Sequence, residues 1–337
     1  MKNLLYISTI IFIMSSCREE DGKKPRFAQK QYYLGHDYFS KYVETLRKID
    51  SLRAENARIV KSLSKLSLSG DRPAQISKIR SDRNRMKRNN LVIERETAAS
   101  RKYLDAALVE LRKAIIADSS HVRAHFELGL IYLKKATTEI DMGTRVQCFQ
   151  GDEKKESSDR WKDLLIKSRK HFTFSARDKE LKSSSYNNIS AIDLYLEDWE
   201  SALEHSKIAM SDLVYQETHV ASSNVGWAYF NMKNYPRAIS HLKQALISQK
   251  NFCLARYRLA RIYYKMGRYD DSEREFDRTL KQGPPCNGIQ EAWLYGAMSK
   301  LKRGDAVVAK DYLRKCSIIA PQSCIAAQCR SLEKNIP

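Results

Sequence analysis

A repeat of 34 residues constrains the fold of this chain more than any other feature in it. Val225-Gly226-Trp227-Ala228-Tyr229 aligns with Leu259-Ala260-Arg261-Ile262-Tyr263 at that offset. The same step carries Tyr235 onto Tyr269, Ala238 onto Ser272, Leu242 onto Phe276 and Lys250 onto Pro284. Each unit reads as two amphipathic helices around a short polar turn, Met232-Lys233-Asn234-Tyr235 in one and Met266-Gly267-Arg268-Tyr269 in the next. Small residues fall where the two helices must cross closely, and aromatic residues fall where one hairpin meets its neighbour. A single pair of short helices cannot bury its own apolar face, so such units have to stack.

Looser copies flank the central pair. Upstream, Leu196-Glu197-Asp198-Trp199 with Ala202 and Ala209 repeats the turn and second helix, after a helix near Tyr186–Leu194. Further upstream, Leu111-Arg112-Lys113-Ala114 leads to Leu128-Gly129-Leu130-Ile131-Tyr132. Downstream, Trp293 to Leu301 and Ala309 to Ile319 supply another hairpin. Pro321 closes it, and Ser323 is placed to cap a last helix through about Glu333. A 34-residue hairpin period of this composition is the tetratricopeptide pattern. The expected fold is therefore all-α, a tetratricopeptide-repeat superhelix of helical hairpins with a C-terminal capping helix over residues 100–334. Residues 137–182 break the period and read as an insertion between the helices of one hairpin. Residues 36–99 form a basic helical or linker region, with an amphipathic helix from about Tyr38 to Leu66. Its apolar stripe runs through Phe39, Val43, Leu46, Ile49, Ala57, Val60 and Leu63, and its basic run is Lys78, Arg80, Arg83, Arg85, Lys87 and Arg88.

The first residues read MKNLLYISTIIFIMSSC. One lysine, an apolar stretch from Leu4 to Met14 and two serines predict a secretory signal over 1–16. Cys17 then stands where a bacterial lipoprotein carries its lipid, with residues 17–35 as a tether. Lys and Arg outnumber Asp and Glu by 60 to 40, a net charge of +20, which predicts acidic partner surfaces. Export makes nucleic acid an unexpected partner and points to anionic lipid or peptidoglycan instead. With Cys17 lipidated, the remaining six cysteines, Cys148, Cys253, Cys286, Cys316, Cys324 and Cys329, are candidates for disulfides in an oxidising compartment. Six allow 15 connectivities, and the spacing alone leaves the pairing open.

Chemistry-bearing motifs are missing: there is no phosphate-cradling glycine loop, no nucleophile elbow and no paired zinc-binding histidines around a glutamate. His121 and His125, four apart, are better explained by packing than as metal ligands. The expectation is a binding protein, not an enzyme, with no cofactor and no metal. In stacked hairpins the concave face is lined mainly by first helices. A register set on Gly226, Ala260 and Gly296 places Trp227, Phe230, Asn231, Tyr257, Arg261, Tyr264, Trp293 and Lys300 towards that face. Aromatic and cationic side chains carry much of the energy of protein interfaces. Arg261 and Lys300 are the firmest choices, because a charged side chain has little reason to be interior.

The run Asn224-Val225-Gly226-Trp227-Ala228-Tyr229-Phe230 resembles a stretch of the Tgl branch of type IV pilus assembly lipoproteins, relatives of the pilotin PilF. Phe252-Cys253-Leu254-Ala255-Arg256-Tyr257-Arg258-Leu259-Ala260 is similar too. So are Cys286 with Ile289-Gln290-Glu291-Ala292, and the tail around Cys316, Ala320 to Cys324, and Cys329-Arg330. The likeness covers about residues 100–332 and leaves 36–90 unmatched. It implies about six repeats, an outer-membrane lipid anchor facing the periplasm, and a pilotin role in which secretin subunits are bound and helped to assemble. The alternative is a periplasmic scaffold that binds cell-wall polymer or cell-wall enzymes.

Overall fold

The structure, a computed structural model, describes residues 26–66, 73–147, 160–283 and 285–336. The expected signal segment, Cys17 and Cys148 lie outside these residues. All regular structure among the described residues is helical, and they divide at 119/120 into two compact units.

The first unit is a pair of long antiparallel helices, α1 (Arg26–Leu66) and α2 (Pro73–Ala117). Residues Ala28, Tyr32, Phe39, Tyr42, Val43 and Ile49 of α1 and Ala107, Leu111 and Ala114 of α2 are buried, at the three- and four-residue steps that keep one helical stripe inward. Gly35 lets the helices touch. A Cβ there would lie 2.7 Å from Leu111 Cγ. Farther along, Lys48 Nζ bonds Glu96 at 2.7 Å, and Asn56 bonds both Asn89 and Asn90 at 2.9 Å. Those amides link the two helices at a partly exposed position.

Three expectations change here. The helix begins at Arg26, inside the presumed tether. The expected boundary at 99/100 falls in the middle of α2, whose second half has no break. Val60, expected on the apolar face, is 52% exposed, while its neighbour Ile59 is buried.

The second unit is the repeat array. Its hairpins are α3/α4 (Val122–Gln147, Arg160–Ser175), α5/α6 (Lys182–Tyr195, Trp199–Met210), α7/α8 (Thr218–Asn231, Tyr235–Ser248), α9/α10 (Cys253–Lys265, Tyr269–Lys281) and α11/α12 (Gln290–Lys302, Ala306–Ile319). The cap is α13 (Cys324–Lys334). Most of the expected insertion is therefore repeat: α3 runs on through 147, and Arg160–Ser175 is the second helix of that hairpin. Only 148–159 lies outside the described residues.

One turn is used again and again. Glu197, Lys233, Gly267 and Gly304 end the first helices of four successive hairpins at φ between 61° and 84°. A left-handed residue stops a helix by redirecting the chain. Its successor caps the second helix: Asp198, Asn234 and Asp305 each accept from the backbone N–H three residues on. Ser323 caps α13 in the same way, as its position predicts.

Where helices cross, small residues do what the repeat pattern asks of them. A Cβ on Gly129 would meet the Phe172 ring at 2.8 Å, and one on Gly226 would meet Leu242 Cγ at 2.7 Å. Buried serines bridge the same crossings. Ser168 Oγ donates to the Gly129 carbonyl at 2.7 Å, and Ser272 Oγ to that of Ala260 at 3.0 Å. Two disulfides add covalent staples. Cys253–Cys286 joins the starts of α9 and the 3-10 turn Cys286–Gly288 before α11, and Cys316–Cys329 ties the cap to α12. Cys324 is disulfide-bonded as well.

Candidate partner-binding face

The turn residues give the register from which the concave face can be read. Asn188, Asn224, Arg258 and Tyr295 occupy the same place relative to Glu197, Lys233, Gly267 and Gly304. One helical turn later come Ala191, Trp227, Arg261 and Met298. These eight residues lie on the first helices α5, α7, α9 and α11, whose successive members touch one another.

At the floor, the α5 and α7 positions are polar and buried. Asn224 Nδ2 donates to Asn187 Oδ1 at 3.4 Å, and Asn188 Nδ2 to the Ser184 carbonyl at 2.8 Å. Arg258 follows in α9 and is only 5% exposed. Its Nη1 donates to the Ser223 carbonyl and hydroxyl, both at 2.9 Å, and to Asn224 Oδ1 at 3.2 Å. The guanidinium lies 5.4 Å from the Trp227 ring centroid. Among the described residues no carboxylate lies within 4.0 Å of it, and burial draws its pKa down to about 10.

Above this floor the expected residues separate into two groups. Trp227 and Phe230 are partly exposed and stack at 4.7 Å. Asn231 stands beside them, its Nδ2 donating to the Trp227 carbonyl at 2.8 Å. Arg261 is partly exposed, lies 3.7 Å from the Tyr295 centroid and donates to the Tyr257 hydroxyl at 2.7 Å. Tyr264 packs edge-on to the same Tyr295 at 5.5 Å. These five are brought together on the first-helix face.

Tyr257, Trp293 and Lys300 are not. Tyr257 is fully buried against Phe276, Leu254 and Ile289, and burial raises its phenol pKa. Only its hydroxyl tip, bonded to Arg261, reaches the face. Trp293 turns towards the second helix α12, stacking edge-on with Tyr312 at 4.9 Å while its Nε1 donates to the Asn287 carbonyl. Lys300 is 3% exposed and paired with Glu273 at 2.8 Å and Asp277 at 3.4 Å. Register misplaces Lys300, whereas for Trp293 the position itself is at fault, because the matching place in the observed register, Leu294, is as buried as Tyr257 is in α9. The register of α11 is set by Ala297, which packs where Gly226 and Ala260 do, and not by Gly296. A one-residue slip turns a helix by about 100°, which exchanges the groove for the interior.

Arg258 and Tyr295 were missed. Arg258 sits 34 residues after Asn224, so the repeat itself marked its place, but a lone arginine in a helix gives no sign that it is buried. Two buried charged groups elsewhere show the ordinary arrangement. Asp193 is inaccessible and is held by Arg169 at 3.1 Å and His205 at 2.6 Å; the Lys300 cluster is the second.

The histidines named earlier have packing roles. His121 Nδ1 accepts from the Ala124 N–H at 3.2 Å, and His125 and His171 face each other at 2.8 Å between Nδ1 atoms. Burial and the neighbouring His125 lower the pKa of His171 to about 4. No group of three or more metal-binding side chains occurs among the described residues.

Comparisons with known proteins agree with this architecture. A tetratricopeptide-repeat family model matches residues 229–292. The structure of PilW, described as a widely conserved type IV pilus biogenesis factor, superposes with a TM-score of 0.51 at 17% identity, covering 67% of this chain and 90% of that one. PilF of Pseudomonas aeruginosa gives 0.48 at 18% identity, over 69% and 91%. The APC/C Cut9–Hcn1 hetero-tetramer gives 0.53 at 14% identity, over 90% of this chain and 58% of that one. No curated protein matches. The second unit is a tetratricopeptide-repeat array, an architecture of protein interaction.

Proposed function

We propose that this chain is an outer-membrane lipoprotein, anchored through Cys17, that binds secretin subunits and promotes their assembly for type IV pilus biogenesis. The observation that carries the reading is where the family-like run Asn224–Phe230 falls. Its Trp227 and Phe230 stand partly open on the first-helix face, over the buried Asn224. The fold shared with PilW supports the same reading. Repeat arrays bind by presenting a fixed curved surface, so the array needs no chemistry of its own.

The test is an immunoblot of the secretin from unheated membranes of a strain lacking this gene. Loss of the heat- and detergent-resistant multimer, with monomer persisting, supports the reading. Normal multimers in that strain overturn it.

A second reading, a scaffold on anionic cell-wall polymer, is favoured by one feature. Arg80, Arg83 and Lys87 lie on one exposed side of α2, without an ion pair, and Ile76 and Leu91 flank them at 56% and 60% exposure. Salt-sensitive sedimentation with peptidoglycan, lost on reversing those three charges, would support it.

A further inference from the structure

We infer that Arg258 is a receptor for a glutamate or aspartate side chain of the partner, inserted from an extended segment lying along the first-helix face. The inference rests on the second unit's concave face being the binding face, as in the proposed function, and not on the partner being a secretin.

The starting observation is a contrast within one molecule. Asp193 and Lys300 are buried charges, and each has an oppositely charged group within 3.1 Å, Arg169 and Glu273 respectively. Arg258 is just as buried and has none. A guanidinium taken out of water is costly unless it is both hydrogen-bonded and neutralised. Its bonds to Ser223 and Asn224 use Nη1 alone. Nε is buried without an acceptor, and no bond involves Nη2. The unused edge, Nε with Nη2, is the one that takes a carboxylate with two parallel bonds. Arg261, one turn along the same helix, also lacks a carboxylate, bonding only to the Tyr257 hydroxyl. Two uncompensated guanidinium groups on neighbouring turns make the middle of this face electropositive.

Depth selects the source of the carboxylate. The Trp227 ring lies over Arg258 and leaves it 5% exposed, so a main chain cannot reach the guanidinium. A side chain two or three bonds long can slip past the indole. The flanking Phe230, Tyr264 and Tyr295, all partly exposed, offer apolar surface to the residues on either side of it.

The experiment uses the mature chain, immobilised, and pools of randomised decapeptides blocked at both ends, with a central Glu or a central Gln. A third pool has central Gln and a free C-terminal carboxylate. The expected result is about tenfold better recovery of the Glu pool than of the Gln pool, the ratio that one charge-assisted pair provides. Arg258→Met should reduce that ratio to about one while leaving the melting temperature unchanged or higher, because it removes an uncompensated charge. Arg258→Lys, which keeps the charge but not the planar edge, should keep part of the preference. Equal recovery of the Glu and Gln pools overturns the proposal. So does better recovery of the free C-terminal pool, or a preference that survives in Arg258→Met. A fall of more than roughly 5 °C in Arg258→Met, with the Glu preference absent in Arg258→Lys, would make Arg258 a structural residue. None of these outcomes involves the secretin, so the multimer assay can fail while this one succeeds, and the reverse.

Discussion

Lys300 and Glu273 form a buried ion pair, 2.8 Å between Nζ and Oε1, that ties α11 to α10. Asp277 and Arg303 complete the cluster, and the Tyr312 hydroxyl donates to Asp277 at 2.8 Å. Removing Lys300 takes the one fully buried cation from between Glu273 and Asp277, leaving Glu273 to the exposed Arg303 and Asp277 without its buried counter-charge. Lys300→Met should cost roughly 3 kcal/mol, seen as a drop in melting temperature of about 8 °C for a unit of this size. An unchanged melting temperature would place Lys300 at the surface after all.

The same cluster predicts a pH dependence. Burial pushes the Glu273 carboxyl up, but bonds from Lys300 and Arg303 outweigh it and hold its pKa below the ordinary 4.5. A depressed carboxyl stabilises the fold fully above its unfolded value and loses that contribution as pH falls through its folded value. The stability gap between wild type and Lys300→Met should therefore be widest near pH 7 and shrink below about pH 4.5. Chemical denaturation at a series of pH values measures it; a gap that widens in acid contradicts the assignment.

Gly226 and Lys233 respond in opposite directions to the loss or gain of a Cβ. At Gly226 a methyl would press on Leu242 and on the Ala238 carbonyl, so Gly226→Ala should cost about 1–3 kcal/mol. At Lys233 the backbone holds φ 61° in the place that Gly267 and Gly304 occupy. Lys233→Gly should be neutral or stabilise by up to roughly 1 kcal/mol. Urea unfolding of the two variants, side by side, checks both signs.

Reducing the protein should expose how far its staples matter. Cys253–Cys286 and Cys316–Cys329 close loops of 33 and 13 residues. Each is worth about 3 kcal/mol on the chain-entropy account. Thiol labelling of denatured, unreduced protein should miss Cys253, Cys286, Cys316, Cys324 and Cys329, and reduction should lower the melting temperature. Ready labelling of any of the five would remove that bridge.

On the binding face, Arg261→Glu should weaken capture of the partner at least tenfold with little change in melting temperature, since the side chain lies over Tyr295 at the surface of the array. Tyr257→Ala should do the reverse, destabilising by about 3–5 kcal/mol through a core cavity. A melting scan beside a pull-down of the secretin separates the two.

Much of this molecule is determined by residues close together in the chain. The period, the turn built from a left-handed residue and a capping Asp or Asn, the crossing glycines and the Ser323 cap all depend on local backbone preferences, so the hairpins α5 to α12 and the cap α13 were legible before folding. Trp227, Phe230, Asn231, Arg261 and Tyr264 followed from the same register. What lay beyond reach depended on contacts between distant residues. That residues 100–117 belong with α1, through contacts such as Leu111 against Gly35, and not with the repeat array, is a pairing between distant residues. The orientation of α11 is decided by which small residue, Gly296 or Ala297, meets Ala309 and Leu313, and the sequence offers both. The burial of Arg258 is decided by Ser223, Asn224 and Trp227 from the preceding hairpin. A periodic sequence specifies helices and their spacing, but a rotation of one residue leaves that period intact, and only packing across hairpins chooses between the two faces.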